Sequence, residues 1–180
     1  METEENCIHT IPLPLAVIDT SFWSQCCQVD LVAYLWKAFQ PPLLMPSAVH
    51  QEIFDVPGPF KEQKLCEAAL EAERLFIRDP GILIPIFRPG EQAVLSLAQE
   101  LKAVALVDDY RPYRYGRDTL GLPIFGVGEW VVALVDRQLV SVAEGQAYVA
   151  TLAAHGATSP RHLVVVTEQL NRRAAKGENR

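Results

Sequence analysis

The sequence lacks cysteines at metal-binding or redox spacing, and it lacks long apolar runs. Its four cysteines, Cys7, Cys26, Cys27 and Cys66, have no C-x-x-C spacing, so a zinc ribbon or a thioredoxin-type site is not expected. We interpret the adjacent Cys26 and Cys27 as small apolar residues of a helix in a reducing compartment. No apolar run reaches the length of about 18 residues that spans a membrane, and the first six residues are acidic, unlike a signal peptide. We therefore expect a cytoplasmic protein that does not interact with a membrane.

The sequence also lacks an excess of basic residues. It has 16 Lys and Arg against 22 Asp and Glu, a formal net charge of -6. This balance argues against binding nucleic acid through bulk positive charge, but it leaves room for a local basic patch or a metal-mediated contact with phosphate. With 180 residues, 49% of them hydrophobic, the chain is long enough to form a globular core. We expect one domain over residues 1–180, with a core at about 15–140 and a helical C-terminal extension at about 141–175.

The stretch from Gly90 to Asp109 organises the prediction. Apolar residues at positions 94, 97, 98 and 101 have the spacing of a helix with one buried face. The short apolar run 104–107 that follows is typical of a buried strand. One acid, Glu91, therefore lies at the start of a helix, and Asp108 and Asp109 lie at the carboxyl end of a strand. Sites in open α/β sheets form outside the carboxyl ends of the strands.

The N-terminal part repeats this arrangement of a strand followed by an acid. The apolar run 15–18 predicts a strand that ends at Asp19, and Thr20 and Ser21 suit the cap of the next helix. That helix is expected to break near residues 28–30 and to stop before Pro41 and Pro42. A third strand is predicted at 43–45, and Pro46-Ser47 opens a helix that carries Glu52, which we place near its start.

Strands alternate with helices through most of the chain, which predicts a parallel sheet with helices on both faces. Right-handed crossovers then place all strand carboxyl ends, with Asp19, Asp108 and Asp109, at one edge. Glu52 and Glu91 are expected to face the same edge. The remaining predicted segments are helices at 60–74, 110–120, 128–139, 142–155 and 160–174, a strand-like link at 76–87, and a turn with a short strand at 121–126.

Several carboxylates at one edge repel each other and need cations. Mg²⁺ and Mn²⁺ prefer such oxygen ligands, and they can activate water and stabilise a displacement at phosphate. Each acid also has a simpler interpretation: a helix cap for Asp19, a partner of a helix dipole for Glu91, a turn for Asp108-Asp109 and a solvated surface acid for Glu52. Convergence on one edge favours the metal cluster, because independent caps have no reason to meet.

These residues, in this order and context, resemble PIN domains. The matching segments are the strand with Asp19-Thr20-Ser21, the helix from Pro46 to Ile53, Gly90-Glu91 with its helix, and Val107-Asp108-Asp109. They look most like the branch related to VapC-type toxins. The resemblance implies a three-layer α/β/α sandwich with a central parallel sheet and a divalent-metal endoribonuclease with Mg²⁺ or Mn²⁺ as cofactor. One form of such an enzyme that the resemblance allows is the toxin of a type II toxin–antitoxin pair.

The resemblance also implies roles for single residues. Catalytic roles fall on Asp19, Glu52, Glu91 and Asp109. Metal-ligand roles fall on Asp19, Glu91, Asp108 and Asp109, and either Asp108 or Asp109 can be the principal ligand. Thr20 or Ser21 matches a hydroxyl that supports the site. The implied partners are an RNA substrate and an antitoxin protein.

A basic, tyrosine-rich segment directly follows the two aspartates. Arg111 and Arg114 are the predicted substrate-binding residues, because guanidinium pairs with phosphate, and the tyrosines at 110, 113 and 115 offer rings that stack on bases. Where related proteins often carry a short Ala-Arg-containing helix, this chain has a proline at 112. The alternative interpretation is a solvated helix face that neutralises nearby acids. The four histidines show no metal spacing and are interpreted as surface or packing residues.

Two further expectations concern partners and activity. We expect a homodimer, because the C-terminal helices carry more apolar surface than one sheet face readily covers, namely Val131, Val132, Leu134, Val135, Leu139, Val164, Val165 and Val166. The resemblance to PIN-like toxins, which also form dimers, points the same way. The alternative to the ribonuclease is a PIN-like module that binds RNA or a partner protein without cutting.

Overall fold

A parallel sheet forms the centre of the protein, as predicted. The computed structural model describes residues 15–39, 43–58, 60–156 and 159–177. The strands are β1 Ala16–Ile18, β2 Leu43–Met45, β3 Leu75–Ile77, β4 Val104–Leu106 and β5 Ile124–Phe125, in the order β3-β2-β1-β4-β5. All pairs are parallel, and Ile18, Leu106 and Phe125 share one row. The carboxyl ends therefore align at one edge of the sheet.

Helices cover both faces of this sheet. In the described part of the chain they are α1 Thr20–Gln28, α2 Val32–Ala38, α3 Ser47–Phe54, α4 Lys61–Glu71, α5 Pro89–Leu101, α6 Tyr110–Asp118, α7 Val127–Asp136, α8 Val142–His155 and α9 Pro160–Gly177. This is the predicted three-layer α/β/α sandwich. The predicted break after α1 is confirmed, and it occurs where Asp30 adopts a φ of 60°.

Two boundaries differ from the prediction. The segment expected to be only a strand-like link begins with a regular edge strand, β3, at Leu75, and its remainder is irregular because Pro80 and Pro85 cannot continue a ladder. Glu52 was placed near the start of its helix, and this is wrong: α3 has only eight residues, and Glu52 is the sixth of them.

The apolar surface predicted for a homodimer is largely covered within the chain. Helices α8 and α9 fold back on α7, and α7 contacts both of them. They bury Val131, Val132, Leu134, Val135 and Val166, while Val164 and Val165 stay exposed. The homodimer therefore stays a prediction without most of the surface on which it was based.

The cysteines and the chain ends complete the comparison. Cys26, Cys27 and Cys66 are buried free thiols, which agrees with the apolar role predicted for the adjacent pair. Burial raises the pKa of Cys66 to about 11. Cys7, the acidic first six residues and the last three residues lie outside the described residues. None of the described helices combines the length and apolar character that a membrane crossing needs.

Candidate active site

The site lies at the topological switch point of the sheet, between β1 and β4. From β1 the chain moves to β2 on one side, whereas from β4 it moves to β5 on the other side. Crevices at such a switch point, outside the carboxyl ends of the strands, are the usual ligand sites of open α/β sheets. Asp19 directly follows β1, and its backbone N–H donates to the Leu106 carbonyl of β4 at 3.0 Å. Asp19 and the Asp108-Asp109 pair therefore flank this crevice.

Asp19 is both a helix cap and the electrostatic centre of the site. Its carboxylate accepts from the Ser21 backbone N–H at 3.2 Å and from the Ser21 hydroxyl at 2.6 Å, at the start of α1. The residue is only 2% exposed. Burial, with a smaller contribution from the charges of Asp109 and Glu52, raises the pKa of Asp19 to about 7, against the two hydrogen bonds from Ser21 that lower it. The buried carboxylate therefore favours a nearby cation.

Glu52 is held by two other elements and is not a solvated surface acid. Its carboxylate accepts from the Thr20 hydroxyl at 2.5 Å and from the Gly90 backbone N–H at 3.2 Å. These bonds join α3 to the first turns of α1 and α5. Thr20 and Ser21 thus each orient one carboxylate of the site, Thr20 that of Glu52 and Ser21 that of Asp19.

Asp108 and Asp109 have separate surroundings. Asp108 is 6% exposed, and its carboxylate accepts from the Val127 backbone N–H at 2.8 Å and from the Gln25 amide at 2.6 Å. It therefore joins α1 to the start of α7. Asp109 is exposed and makes no capping bond to α6 through its side chain. Its carboxylate faces the open crevice, so the structure favours Asp109 over Asp108 as a ligand for a metal or substrate.

Asp109 and Glu91 line the same cleft, which has a volume of about 610 Å³. Glu91 lies in the first turn of α5, where its carboxylate also accepts from the Arg88 backbone N–H at 3.1 Å. Glu91 thus lies in the first turn of α5, as the helix-dipole interpretation predicts, and it also lines the cleft. The other lining residues are Ile86, Phe87, Arg88, Tyr110, Arg111 and Pro112.

The arginines after Asp109 are not equivalent. Arg114 and Arg117 both bind Asp118, at 3.1 and 2.8 Å, as the solvated-face interpretation predicts. Arg111 lines the cleft and makes no ion pair within the described residues. Arg114 lines the continuation of the cleft but is paired with Asp118, so Arg111 is the stronger candidate for a phosphate contact, and both roles stay predictions.

The aromatic residues of the cleft also differ from the prediction. Tyr113 points inward, where its hydroxyl donates to Glu129 at 2.6 Å, and Tyr115 packs edge-on against Phe87. Tyr110 is exposed and, with Phe87, lines the cleft and its continuation of about 380 Å³ along α6. Sequence reasoning missed Phe87 and Arg88; the only signal was their position just before Pro89, the first residue of α5.

A second polar cluster lies next to Asp108 and was also missed. The His162 ring of α9 lies 3.2 Å from the Glu129 carboxylate of α7. Burial disfavours the ionised form of Glu129, but hydrogen bonds from His162, Tyr113 and the Gly126 backbone hold its pKa below the usual value. The hydrogen bond with Glu129 raises the pKa of His162. The available signal in the sequence was the glutamate three residues after Gly126, a spacing typical of a helix N-terminus.

The donor chemistry of the edge fits a hard divalent cation. The oxygens of Asp19, Asp109 and Glu91 are the ligand type that Mg²⁺ and Mn²⁺ prefer. Within the described ranges, no three acidic, histidine or cysteine residues form a group compact enough to hold one ion. Mg²⁺ typically keeps several waters and uses one or two carboxylates together with substrate phosphate, so a site of this kind does not require three protein ligands around one point.

Comparison with known proteins agrees with this architecture. The model of a family described as a PIN domain, DUF3368, matches residues 15–172. The chain belongs to this PIN-domain family. The match extends through α8 into α9, so the family model includes the helices that bury α7 and supply His162. PIN domains are generally nucleases and typically use divalent metals.

One solved structure similar to this PIN domain is a PilT N-terminus domain protein from the hyperthermophilic archaeon Sulfolobus solfataricus P2. It shares 15% identity, and the alignment covers 66% of this chain and 92% of that one, with a TM-score of 0.47. No curated protein matches the chain.

Proposed function

We propose that this PIN domain is a divalent-metal-dependent endoribonuclease that hydrolyses RNA phosphodiesters at the β1–β4 crevice. The observation that carries the proposal is the buried Asp19 carboxylate, which is coupled to the exposed Asp109 beside a cleft that contains Arg111. A buried acid near a second acid is costly unless a cation binds. Such a combination of carboxylates with a cleft-lining guanidinium suits a phosphodiester substrate.

Each residue has a defined part in this proposal. Asp19 and Asp109 would hold Mg²⁺ or Mn²⁺, with Glu91 facing the same cleft. When bound, such an ion supplies an activated water and stabilises charge on phosphate. Ser21 fixes the Asp19 carboxylate, and Thr20 fixes that of Glu52.

The cleft would hold the RNA strand. Arg111 and Arg88 lie on its wall, where guanidinium groups can pair with phosphate oxygens. Tyr110 and Phe87 offer ring faces on which unstacked bases pack. Because the net charge of the chain is -6, these local contacts have to supply the attraction for RNA, and a bound cation would add to it.

We also infer a place in the VapC-like toxin branch, with an antitoxin protein as partner, a homodimeric state and a cytoplasmic location. The support for the toxin branch is the order of Asp19, Glu52, Gly90-Glu91 and Asp108-Asp109 along the chain. A small neighbouring reading frame whose product binds this chain would support the toxin role. A monomeric mass at micromolar concentration would contradict the homodimer.

A non-cleaving PIN-like module that binds RNA or protein is the second candidate. It is favoured by the absence, among the described residues, of three metal-binding side chains grouped around one point. It predicts that RNA binds in the arginine-lined cleft and leaves it intact. Cleavage assays therefore separate the two candidates.

The test is incubation of the purified chain with structured and single-stranded RNA in Mn²⁺, in Mg²⁺ and in chelator. We expect cleavage with either metal, none with chelator, and a large loss of cleavage for Asp109→Asn. Glu71→Gln, which removes an exposed charge on α4, should cleave like the wild type. Intact RNA at high concentrations of folded protein, with RNA bound, would support the binding module instead.

A further inference from the structure

A separate pocket of about 220 Å³ lies next to the acid cluster. Its wall includes Thr20 and Glu52, and it shares no lining residue with the arginine-lined cleft. Glu52 connects the two, because it also contacts Gly90, and the next residue, Glu91, lines the cleft. The pocket therefore borders the acid cluster through Thr20 and Glu52, whereas the cleft borders it through Glu91 and Asp109. An RNA strand that extends from the cleft past Glu52 would reach the pocket.

The pocket combines apolar walls with a few polar groups. Ile53, Val56 and Phe60 form the apolar part, and Ser24 and Glu62 join Thr20 and Glu52 in the polar part. Phe60 is 47% exposed, so its ring is accessible from solvent. Gly58 has a φ of 132°, and a Cβ there would lie 3.2 Å from the Phe60 ring. The ring thus packs against a turn in which only glycine fits without strain.

The wall of the pocket is formed before any ligand binds. Gln63 is buried, and its amide donates to the carbonyls of Ile53 and Val56 at 3.0 and 2.8 Å. The side-chain oxygen of Gln63, Oε1, accepts from the Phe60 backbone N–H at 3.3 Å. One buried side chain therefore ties both ends of the segment between α3 and α4 together. A prepared pocket loses less conformational entropy when it binds a ligand.

The charge of the pocket selects the kind of ligand. The Glu52 carboxylate already accepts from Thr20 and Gly90, whereas the Glu62 carboxylate has no hydrogen bond or ion pair with another described residue. Negative walls disfavour a phosphate and favour a group that presents N–H donors. The volume lies below the roughly 300–1,000 Å³ of sites for drug-sized ligands, so it suits a small planar group.

We propose that this pocket binds a guanine base of the RNA, with the base stacked on Phe60. Guanine presents two adjacent donors, N1–H and N2–H, which match the two oxygens of one carboxylate, here that of Glu62. Cytosine, adenine and uracil each lack this pair of neighbouring donors on the Watson–Crick edge. RNA-binding proteins typically read unstacked bases in this way, by stacking and by hydrogen bonds to that edge. The proposal rests on the proposed RNA substrate and names the base that the site prefers.

The test measures binding in chelator, so that cleavage plays no part. Fluorescein-labelled octamers of uridine, with and without one central guanosine, are titrated with the full chain and followed by anisotropy. We expect the guanosine-containing octamer to bind at least about fivefold more tightly, which is the lower end of the base discrimination that a bidentate contact provides. Glu62→Gln and Phe60→Ala should each bring this ratio close to one. Octamers with adenosine or cytidine instead of guanosine should bind like oligouridine.

Glu67→Gln is the matched control, because it removes one exposed charge from the same helix. It should keep the guanosine preference of the wild type. Equal binding of all octamers by the wild type, or an unchanged preference in Glu62→Gln and Phe60→Ala, would overturn the guanine pocket. RNA that is cut without a guanosine preference would leave the proposed nuclease intact, whereas the absence of both cleavage and binding would refute the nuclease itself. Thermal melts establish that each variant is folded.

Discussion

The Gly90 backbone and the Glu52 carboxylate touch each other at the entrance to the site. The Gly90 N–H donates to Glu52 Oε1 at 3.2 Å, and a Cβ on residue 90 would lie 2.6 Å from the same oxygen. The absence of a side chain at Gly90 therefore leaves room for the Glu52 carboxylate. It allows the first turn of α5 to approach an acid from another helix, 38 positions earlier in the chain.

Gly90→Ala should separate activity from stability. The added methyl group displaces the flexible end of Glu52 and not the backbone, and alanine is favoured over glycine within a helix by up to about 1 kcal/mol. We expect an unchanged or slightly higher melting temperature together with a clear loss of RNA cleavage. Gly81→Ala is the control, since a Cβ there meets only the Glu100 carboxylate at 3.5 Å. Equal cleavage by both variants would show that the position of Glu52 does not matter for cleavage.

Asp109→Asn should leave the metal-free protein at least as stable as the wild type. The charge of Asp109 helps to raise the pKa of Asp19 to about 7, although burial is the larger cause, and Asp109 makes no capping bond that the substitution could remove. We expect a gain on the order of 1 kcal/mol in the free energy of unfolding, which corresponds to a decrease of less than one unit in the pKa of Asp19. Mn²⁺ should stabilise the variant less than the wild type, because a ligand of the folded state stabilises according to its occupancy.

Thermal melts with Mn²⁺ and with chelator measure both effects of Asp109→Asn. A drop in melting temperature of the same size in both conditions would identify Asp109 as a structural residue and contradict the acid cluster. Asp55→Asn, at an exposed position after α3, is the control for removal of one negative charge.

Arg111→Ala should weaken RNA binding more than Arg114→Ala. Arg111 lines the cleft without an ion pair among the described residues, whereas Arg114 already binds Asp118 at 3.1 Å. Each lost contact with a single-stranded phosphate lowers the slope of log K against log salt by about 0.7. We expect this change for Arg111→Ala and a smaller one for Arg114→Ala, measured by anisotropy at several salt concentrations. Identical slopes for the two variants and the wild type would place both arginines on a solvated face.

The His162–Glu129 pair should stabilise the fold most strongly in mildly acidic solution. The pKa of His162 is raised from 6.5, so its contribution is complete below pH 6.5 and is lost as the pH rises through the folded value. The pKa of Glu129 is lowered from 4.5, so its contribution is complete above pH 4.5 and is lost as the pH falls through the folded value. Both contributions are therefore complete between about pH 4.5 and 6.5.

Denaturant unfolding of the wild type and His162→Gln from pH 4 to pH 8 measures this effect. The difference in unfolding free energy should be largest within that window and smaller at pH 8. Asp108 also faces His162 and favours its charged form, while Arg117 opposes it. His155→Gln is the control, because His155 is exposed and its ring hydrogen-bonds, among the described residues, to the Thr151 carbonyl of its own helix. A difference that does not vary with pH would assign His162 a packing role alone.

Local patterns in the sequence determined the elements and their order. Short apolar runs between helical segments predicted β1, β2 and β4 within one residue of their observed bounds, because burial on both faces requires continuous apolar strands. The same logic placed Asp19 and Asp108-Asp109 at one edge, and the order of these residues along the chain resembles that of PIN domains. The edge strand β3 was the weakest prediction, since Phe76 and Ile77 are exposed and prolines follow.

Only the tertiary structure decided what each side chain contacts. Asp108 and Asp109 are neighbours in sequence, yet one is buried against Gln25 and the other faces the cleft. Contacts such as Glu52 with Gly90 and Glu129 with His162 join residues more than 30 positions apart. Apolar residues of α7, predicted for a dimer surface, lie instead under α8 and α9. Periodicity shows which face of an element is apolar, but the element that covers this face is fixed by packing of the whole chain.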